Sequence, residues 1–147
     1  MKSLYESILD DEEVLISNAE DDAKNPFIVL YNYYLSNGNE ITNSKRKDIA
    51  NILKHLELPF KSTLTTFYIN VISPKAYSIT DGHNGVLCHI GVDDGIKSRH
   101  MNVKEYKVCI LFNSEGDWGQ KGMNYYIKSW VKNYKLKHAS NYAYYLE

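Results

Sequence analysis

Long apolar runs are missing from this chain: the longest, such as Phe27–Tyr31, fall far short of the roughly 20 residues that a membrane-spanning helix requires. A transmembrane helix is therefore not expected. The N-terminus also lacks the basic, apolar and small-residue regions of a secretory signal, which argues against export by that route and for an intracellular protein. Cysteine is scarce. Cys88 and Cys109 each fall within strand-like apolar alternation, so they read as reduced, packed thiols rather than as a disulfide framework. Catalytic signatures are missing as well: there is no G-x-S-x-G elbow, no H-E-x-x-H and no C-x-x-C pair. Gly116, Gly119 and Gly122 recur at threes in GDWGQKG, but neither G-x-G-x-x-G nor a phosphate loop is formed. That run reads as a loop and helix entry, with Trp118 as a structural residue that seals the sheet in preference to one that stacks on a partner. No internal repeat, low-complexity tract or interdomain linker stands out. No cofactor or metal is implied by these residues.

What is present fits an ordinary globular protein, with 44% hydrophobic and 24% charged residues. A chain of 147 residues suits one domain, and can bury roughly 68–70% of its unfolded surface without disulfide or metal staples. Thirteen tyrosines are the compositional oddity. They suggest amphipathic surfaces, since a tyrosine ring packs while its hydroxyl reaches water or a partner. Charge is unevenly distributed. Residues 1–22 carry one basic residue, Lys2, against eight acidic ones, while residues 23–147 carry 16 basic against 10 acidic ones, and the whole chain is only −1. Opposite fields of this kind attract over about 10 Å at moderate salt. The chain thus divides into an acidic head, 1–22, and one α+β domain, 23–147.

In the head, Leu4, Ile8, Leu9, Val14 and Leu15 recur at three- and four-residue spacings around Asp10–Glu13, the pattern of a short amphipathic helix or a linear docking motif. Asn25 as cap and Pro26 at the first position predict a helix over 26–36, with Phe27, Leu30, Tyr31, Tyr34 and Leu35 as its apolar stripe. Ser44 is placed to cap a second helix, 45–57, on Ile49, Ile52, Leu53 and Leu56, which must stop before Pro59. Strands are then predicted over Thr63–Ile72, Ala76–Thr80, Val86–Val92 and Tyr106–Phe112. Asp81–Gly85 and Asp93-Asp94-Gly95 serve as turns in which aspartate bonds the local backbone and glycine supplies positive φ. Met123, Ile127, Trp130, Val131 and Tyr134 line a C-terminal amphipathic helix with Lys128, Lys132 and Lys135 opposite them, and the tail 139–147 can add a last strand. The expected fold is α+β: N-terminal helices, a central antiparallel sheet of about four strands, and a C-terminal amphipathic helix.

Two constellations offer chemistry. The segment from Asp81 to His100 gathers His83, Cys88, His89, Asp93, Asp94 and His100, residue types that bind metals or move protons. Its spacing fits no metal motif, and adjacent strand residues Cys88 and His89 point to opposite faces. The turn reading of its aspartates is the simpler one. The basic residues Lys45, Arg46 and Lys47, together with Lys128, Lys132, Lys135 and Lys137, could track phosphates. The helix pair has some flavour of a helix-turn-helix, with Ile49–Leu53 resembling its first half. Yet Leu53 to Leu64 is longer than the usual tight turn, and Pro59 interrupts it.

Lys2–Leu15, KSLYESILDDEEVL, resembles a short N-terminal peptide that recurs on otherwise unrelated proteins of gut Bacteroidetes phages, crAss-like phages included. The resemblance covers about a tenth of the chain and carries no catalytic residue. It implies a phage source, a place in the host cytoplasm or the virion, and a modular head that works as an address or docking tag. The expected function is that of a non-enzymatic phage accessory or virion-associated protein that binds another protein. Leu4, Tyr5, Ile8, Leu9, Asp10, Asp11, Glu12 and Glu13 are its contact residues; the alternative for the head is an ordinary first helix that packs on the domain through Leu4, Ile8 and Leu15 and supplies acidic caps. Two alternatives stay open: a nucleic-acid-binding module using the lysine faces, and a small enzyme centred on the segment from His83 to His100. The balance leans against an enzyme, and no membrane partner is expected.

Overall fold

Proline has no backbone N–H to leave unsatisfied at a helix start, and its fixed φ suits the first turn. The first helix begins there. The computed structural model describes residues 24–56, 67–81, 85–96, 103, 105–113 and 119–147, and in it α1 spans Pro26–Asn37 with Asn25 Oδ1 accepting from the Phe27 N–H at 3.1 Å. The next helix, α2, spans Asn43–Leu53, and its cap is Thr42 rather than the expected Ser44. Thr42 has the extended backbone a cap requires, and its hydroxyl accepts from the Lys45 N–H at 3.2 Å, whereas Ser44 is already helical. α2 also ends earlier than expected. The His55 and Leu56 N–H groups turn back to the Ile52 and Leu53 carbonyls in a tightened last turn, which still delivers Leu56 to the core.

The strands are β1 (Phe67–Ser73), β2 (Ala76–Asp81), β3 (Gly85–Val92) and β4 (Val108–Phe112). After α3 (Gly119–Tyr134) come β5 (Lys137–Ser140) and β6 (Ala143–Leu146). The sheet has six strands rather than about four, in the order β1-β2-β3-β4-β6-β5, and every neighbouring pair is antiparallel. The tail supplies the two extra strands. It makes a hairpin instead of one strand because Asn141, at φ 49, takes the left-handed conformation that Asn tolerates and reverses the chain. Both edges are blunted. The Arg46 guanidinium donates to the Val71 carbonyl of β1 at 3.2 Å, and β5 is only four residues long.

One face of the sheet carries Tyr77, Ile79, Cys88, Ile90, Val92, Val108, Ile110 and Phe112, and the helices bury it. A bulge improves that face. Ile79 pairs with Cys88 but Thr80 pairs with Val86, so Leu87 is the extra residue, and both Leu87 and Cys88 reach the interior. Part of the opposite face is covered by the segment after β3, where Ile96 lies over Gly91. That segment is pinned by the Tyr106 hydroxyl, which bonds the Ile96 backbone. The turn into it departs from expectation: Asp93 (φ 50) and Asp94 (φ 61) hold the positive φ angles. Gly95 is needed for another reason, since a Cβ there would stand 2.0 Å from the Lys75 carbonyl oxygen.

The helical layer closes at one joint. Phe27 packs edge-on to Trp130 at 5.7 Å and to Tyr134 at 5.5 Å between ring centroids, and Trp130 lies 5.3 Å from Phe112 of β4. The buried Asn25 side chain, while capping α1, donates from Nδ2 to the Tyr134 carbonyl at 2.9 Å. α3 ends there with Lys135 at φ 56 and the Leu136 N–H bonded to the Val131 carbonyl, a Schellman closure made without glycine.

Asn25→Ala removes a cap and the donor to a buried carbonyl together. The expected loss is about 2–4 kcal/mol, the sum of a cap and an unsatisfied buried group, read in urea unfolding with an unchanged m-value. Asn25→Asp, which keeps the cap acceptor, should recover part of it. Alkaline pH tests the core. Burial pushes Tyr77, Tyr106 and Cys109 up to about 12, and Cys88 higher still. Unfolded thiols and phenols ionise near 8.5–10, so above that range the unfolded chain binds fewer protons than the folded one. Stability should therefore be fully present below about pH 8.5 and be lost as pH rises towards 12, each group contributing up to about 1.4 kcal/mol per pH unit. A flat profile from pH 8 to 11 contradicts the burial of these groups.

Candidate functional site

α1 contains no charged side chain in its twelve residues, PFIVLYNYYLSN. Pro26, Phe27 and Leu30 go inside, Ile28, Val29, Tyr31, Tyr33 and Tyr34 are half-buried, and the outward positions are the polar Asn32, Ser36 and Asn37 with Leu35, which is 61% exposed. The expected stripe thus loses Leu35, which sits five residues from Leu30 and about 140° from it around the helix.

Where α1 leans on α2, its surplus apolar surface forms one wall of a groove of about 570 Å³. Val29, Pro26 and Ile52 supply the apolar lining, and Lys24, Asn51 and His55 the polar part. That volume lies within the roughly 300–1,000 Å³ of binding clefts. One helical turn beyond Val29 and one before Ile52, the Tyr33 hydroxyl donates to Asp48 Oδ2 at 2.9 Å and ties the two helices together. Burial, helped by the Asp48 carboxylate, holds the Tyr33 phenol above its ordinary pKa. A second depression, of about 420 Å³, lies at the other end of α1 among Tyr34, Leu35, Glu40, Lys45 and Asp93. It is structural in character: the Lys75 ammonium stands 5.6 Å over the Tyr34 ring and 3.6 Å from the Asp93 carboxylate, fastening the Asp93–Asp94 turn beside α1.

The other candidate residues do not assemble into a site. Cys88 is buried in the helical face while His89, next to it, is exposed on the opposite face, and Asp93 is paired with Lys75. His83 and His100 lie outside the described residues, as do Leu4, Tyr5, Ile8, Leu9, Asp10, Asp11, Glu12 and Glu13 and the loop residue Trp118. Among the described residues no group of three or more His, Cys, Asp or Glu side chains is arranged to hold a metal ion, and no helix is long and apolar enough to cross a membrane. The basic residues fall into two separate sets. Lys45 donates to the Asn37 carbonyl that ends α1, and Arg46 is spent on the β1 edge. Lys128, Lys132 and Lys135 are exposed on α3, which runs into β5 at the other edge. The first set lies on α2 and the second on α3.

Comparison of the chain with protein-family models, with curated proteins and with solved structures finds no match. The groove residues Val29, Asn51, Ile52 and His55 went unnoticed in the sequence because each helix there looks like an ordinary amphipathic element. The one signal was the absence of charge from α1.

Cys88 and Cys109 are both fully buried and lie on opposite faces of the sheet, with raised thiol pKa values. The folded protein at pH 8 should therefore take up no maleimide, while the protein in urea takes up two equivalents. Rapid labelling of the native chain, measured by mass spectrometry, contradicts this packing.

Proposed function

We propose that this protein is a non-enzymatic phage accessory or virion-associated protein that works by binding another protein, with the α1–α2 groove as the contact on its body and the acidic head as a second contact element. The observation that carries this reading is the groove itself: an apolar floor of Val29 and Ile52 between two helices, bordered by Lys24 and His55. Such a trough accepts an amphipathic helix laid along it, with apolar anchors at i, i+3 or i+4 inside and polar residues outside. The Lys24 ammonium on its border favours an occupant with acidic flanks. The resemblance of residues 2–15 to a peptide carried by unrelated phage proteins supports the same reading, since a segment shared among different bodies acts through what recognises it.

The test places a photo-reactive residue at Val29 and, as a control, at His89 on the far side of the sheet, with cross-linked proteins identified from infected cells and from particles. A defined partner joined through Val29 and not through His89 is expected. Lys24→Glu combined with His55→Glu should weaken binding of that partner roughly tenfold, or about 1.4 kcal/mol, by reversing the Lys24 charge and adding a carboxylate at position 55. Because both residues are exposed, the melting temperature should stay unchanged. Equal capture from both positions, or insensitivity to the reversal, contradicts the reading.

A further inference from the structure

β1 and β5 are the two edges of the sheet, and they are guarded unequally. β5 is four residues long and carries Lys137, so a second β5 laid against it would bring like charges close. β1 runs for seven residues, FYINVIS, without one charged side chain. Two of the large apolar side chains most exposed among the described residues stand on it, Tyr68 at 55% and Ile72 at 59%.

The backbone of β1 is open in a regular pattern. The N–H and C=O of one residue in an antiparallel strand point to the same side, and successive residues alternate. The Val71 carbonyl that Arg46 reaches points away from β2, whereas the Tyr68 carbonyl, which accepts from the Thr80 hydroxyl at 3.4 Å, points towards it. Phe67, Ile69 and Val71 therefore turn their backbone groups outward, while Tyr68 and Asn70 spend theirs on β2. Among the described residues no strand pairs with that outer side. The register shift between Val71 and Ser73 ends the regular stretch, which is centred on Ile69.

We propose that β1 pairs antiparallel with β1 of a second copy of this chain about a two-fold axis at Ile69, joining two sheets into one, and that Arg46 holds this pairing in check. An edge that meets its own copy antiparallel is self-complementary by symmetry, and no like charges of the strand oppose each other. In this register Phe67 pairs with the partner's Val71. Tyr68 lies opposite the partner's Asn70 and diagonal to the partner's Ile72, at the spacing of about 7–8 Å that an aromatic side chain bridges. The exposed apolar side chains of the strand so cover each other twice. Asn70 makes no demand on the seam, because its amide is bonded to the Ser78 and Thr80 hydroxyls. The ladder does need the Val71 carbonyl, so each copy gives up its Arg46 bond on pairing. A single strand edge buries less than the about 1,200–2,000 Å² of stable complexes, so the dimer is weak and fills at about 0.1 mM and above.

The test is amide hydrogen exchange of the full chain at about 10 μM and about 1 mM, with sedimentation at both concentrations. Exchange at Phe67, Ile69 and Val71 should slow roughly fivefold at the higher concentration, with the β5 amides unchanged. In a mixture of isotope-labelled and unlabelled chains, a contact between the α-protons of Tyr68 and the partner's Asn70 is expected from this register. Arg46→Ala should tighten the dimer roughly fivefold by freeing the Val71 carbonyl. Ile69→Pro, which removes an outward N–H and no bond to β2, should abolish it. Ile72→Lys, at an exposed position, should do the same by placing a charge in the seam, and it serves where the proline disturbs the fold. A chain that stays monomeric at about 1 mM overturns the proposal, as does a dimer that leaves the β1 amides unprotected or survives Ile72→Lys. Protection already complete at the lower concentration overturns it too, because the edge is then covered within its own chain. Protection that arises only when the partner of the groove is added does so as well, because the occupant is then a different protein. An unchanged dimer in Arg46→Ala overturns the role given to Arg46.

Discussion

The contact between the start of α1 and the end of α3 sets the position of everything on the helical side of the sheet. Asn25 and Tyr134 are 109 residues apart, yet one side chain begins the first helix and bonds the last turn of the third. The rings of Phe27, Trp130, Tyr134 and Phe112 then lock that meeting onto β4. The polar and aromatic parts depend on each other. A buried amide bonded at both ends costs little and fixes a single geometry, while the same amide with one bond missing carries a desolvation penalty. The aromatic cluster supplies the dry surroundings that make the distinction matter. Because Asn25 fixes where α1 starts, it also fixes where Lys24 stands, and with it the mouth of the α1–α2 groove.

The sheet contributes a rigid base whose two faces are treated differently. The helical face is filled to the extent that a bulge turns two successive residues, Leu87 and Cys88, inward. On the other face the covering is partial, with Ile96 laid over Gly91 and held by Tyr106, while Tyr68 and Ile72 of the edge strand β1 remain more than half exposed. An exposed edge strand invites pairing with another chain. Here Arg46 occupies a β1 carbonyl and so works for the fold. That use removes it from any surface that would follow a phosphate backbone.

Much of this architecture can be read in the sequence where local chemistry decides the outcome. Asn25-Pro26 marks a helix start by two independent rules, and β2 and β3 end where aspartate and glycine take over. Where two local solutions compete, the sequence is ambiguous. Thr42 and Ser44 are both able caps, and only the backbone path from α1 decides between them. The β5–β6 hairpin was half visible, because a tail rich in tyrosine gives a strand signal but its turn rests on one left-handed asparagine rather than on an Asn-Gly pair. At Asp93–Gly95 the residue types were right and their roles reversed: aspartates hold the positive φ and glycine makes room for a neighbouring carbonyl. The groove was hidden for a different reason. Val29 and Ile52 are 23 positions apart, and nothing in either helix alone states that they will share a wall.

Charge decides which kind of partner the surface suits. A polyanion is held by many cations on one continuous face, since each neutralised phosphate adds a further increment of counterion release. This chain divides these cations between α2 and α3 and uses two of the α2 cations on carbonyl groups of its own backbone. What remains is a helix without a single charge, whose half-buried side carries Ile28, Val29, Tyr31, Tyr33 and Tyr34 while Asn32, Leu35, Ser36 and Asn37 face outward. Each half-buried apolar side chain forgoes part of the about 1.5–3 kcal/mol that full burial gives. Such a surface gains by apolar contact, whereas a phosphate backbone finds no row of cations on it.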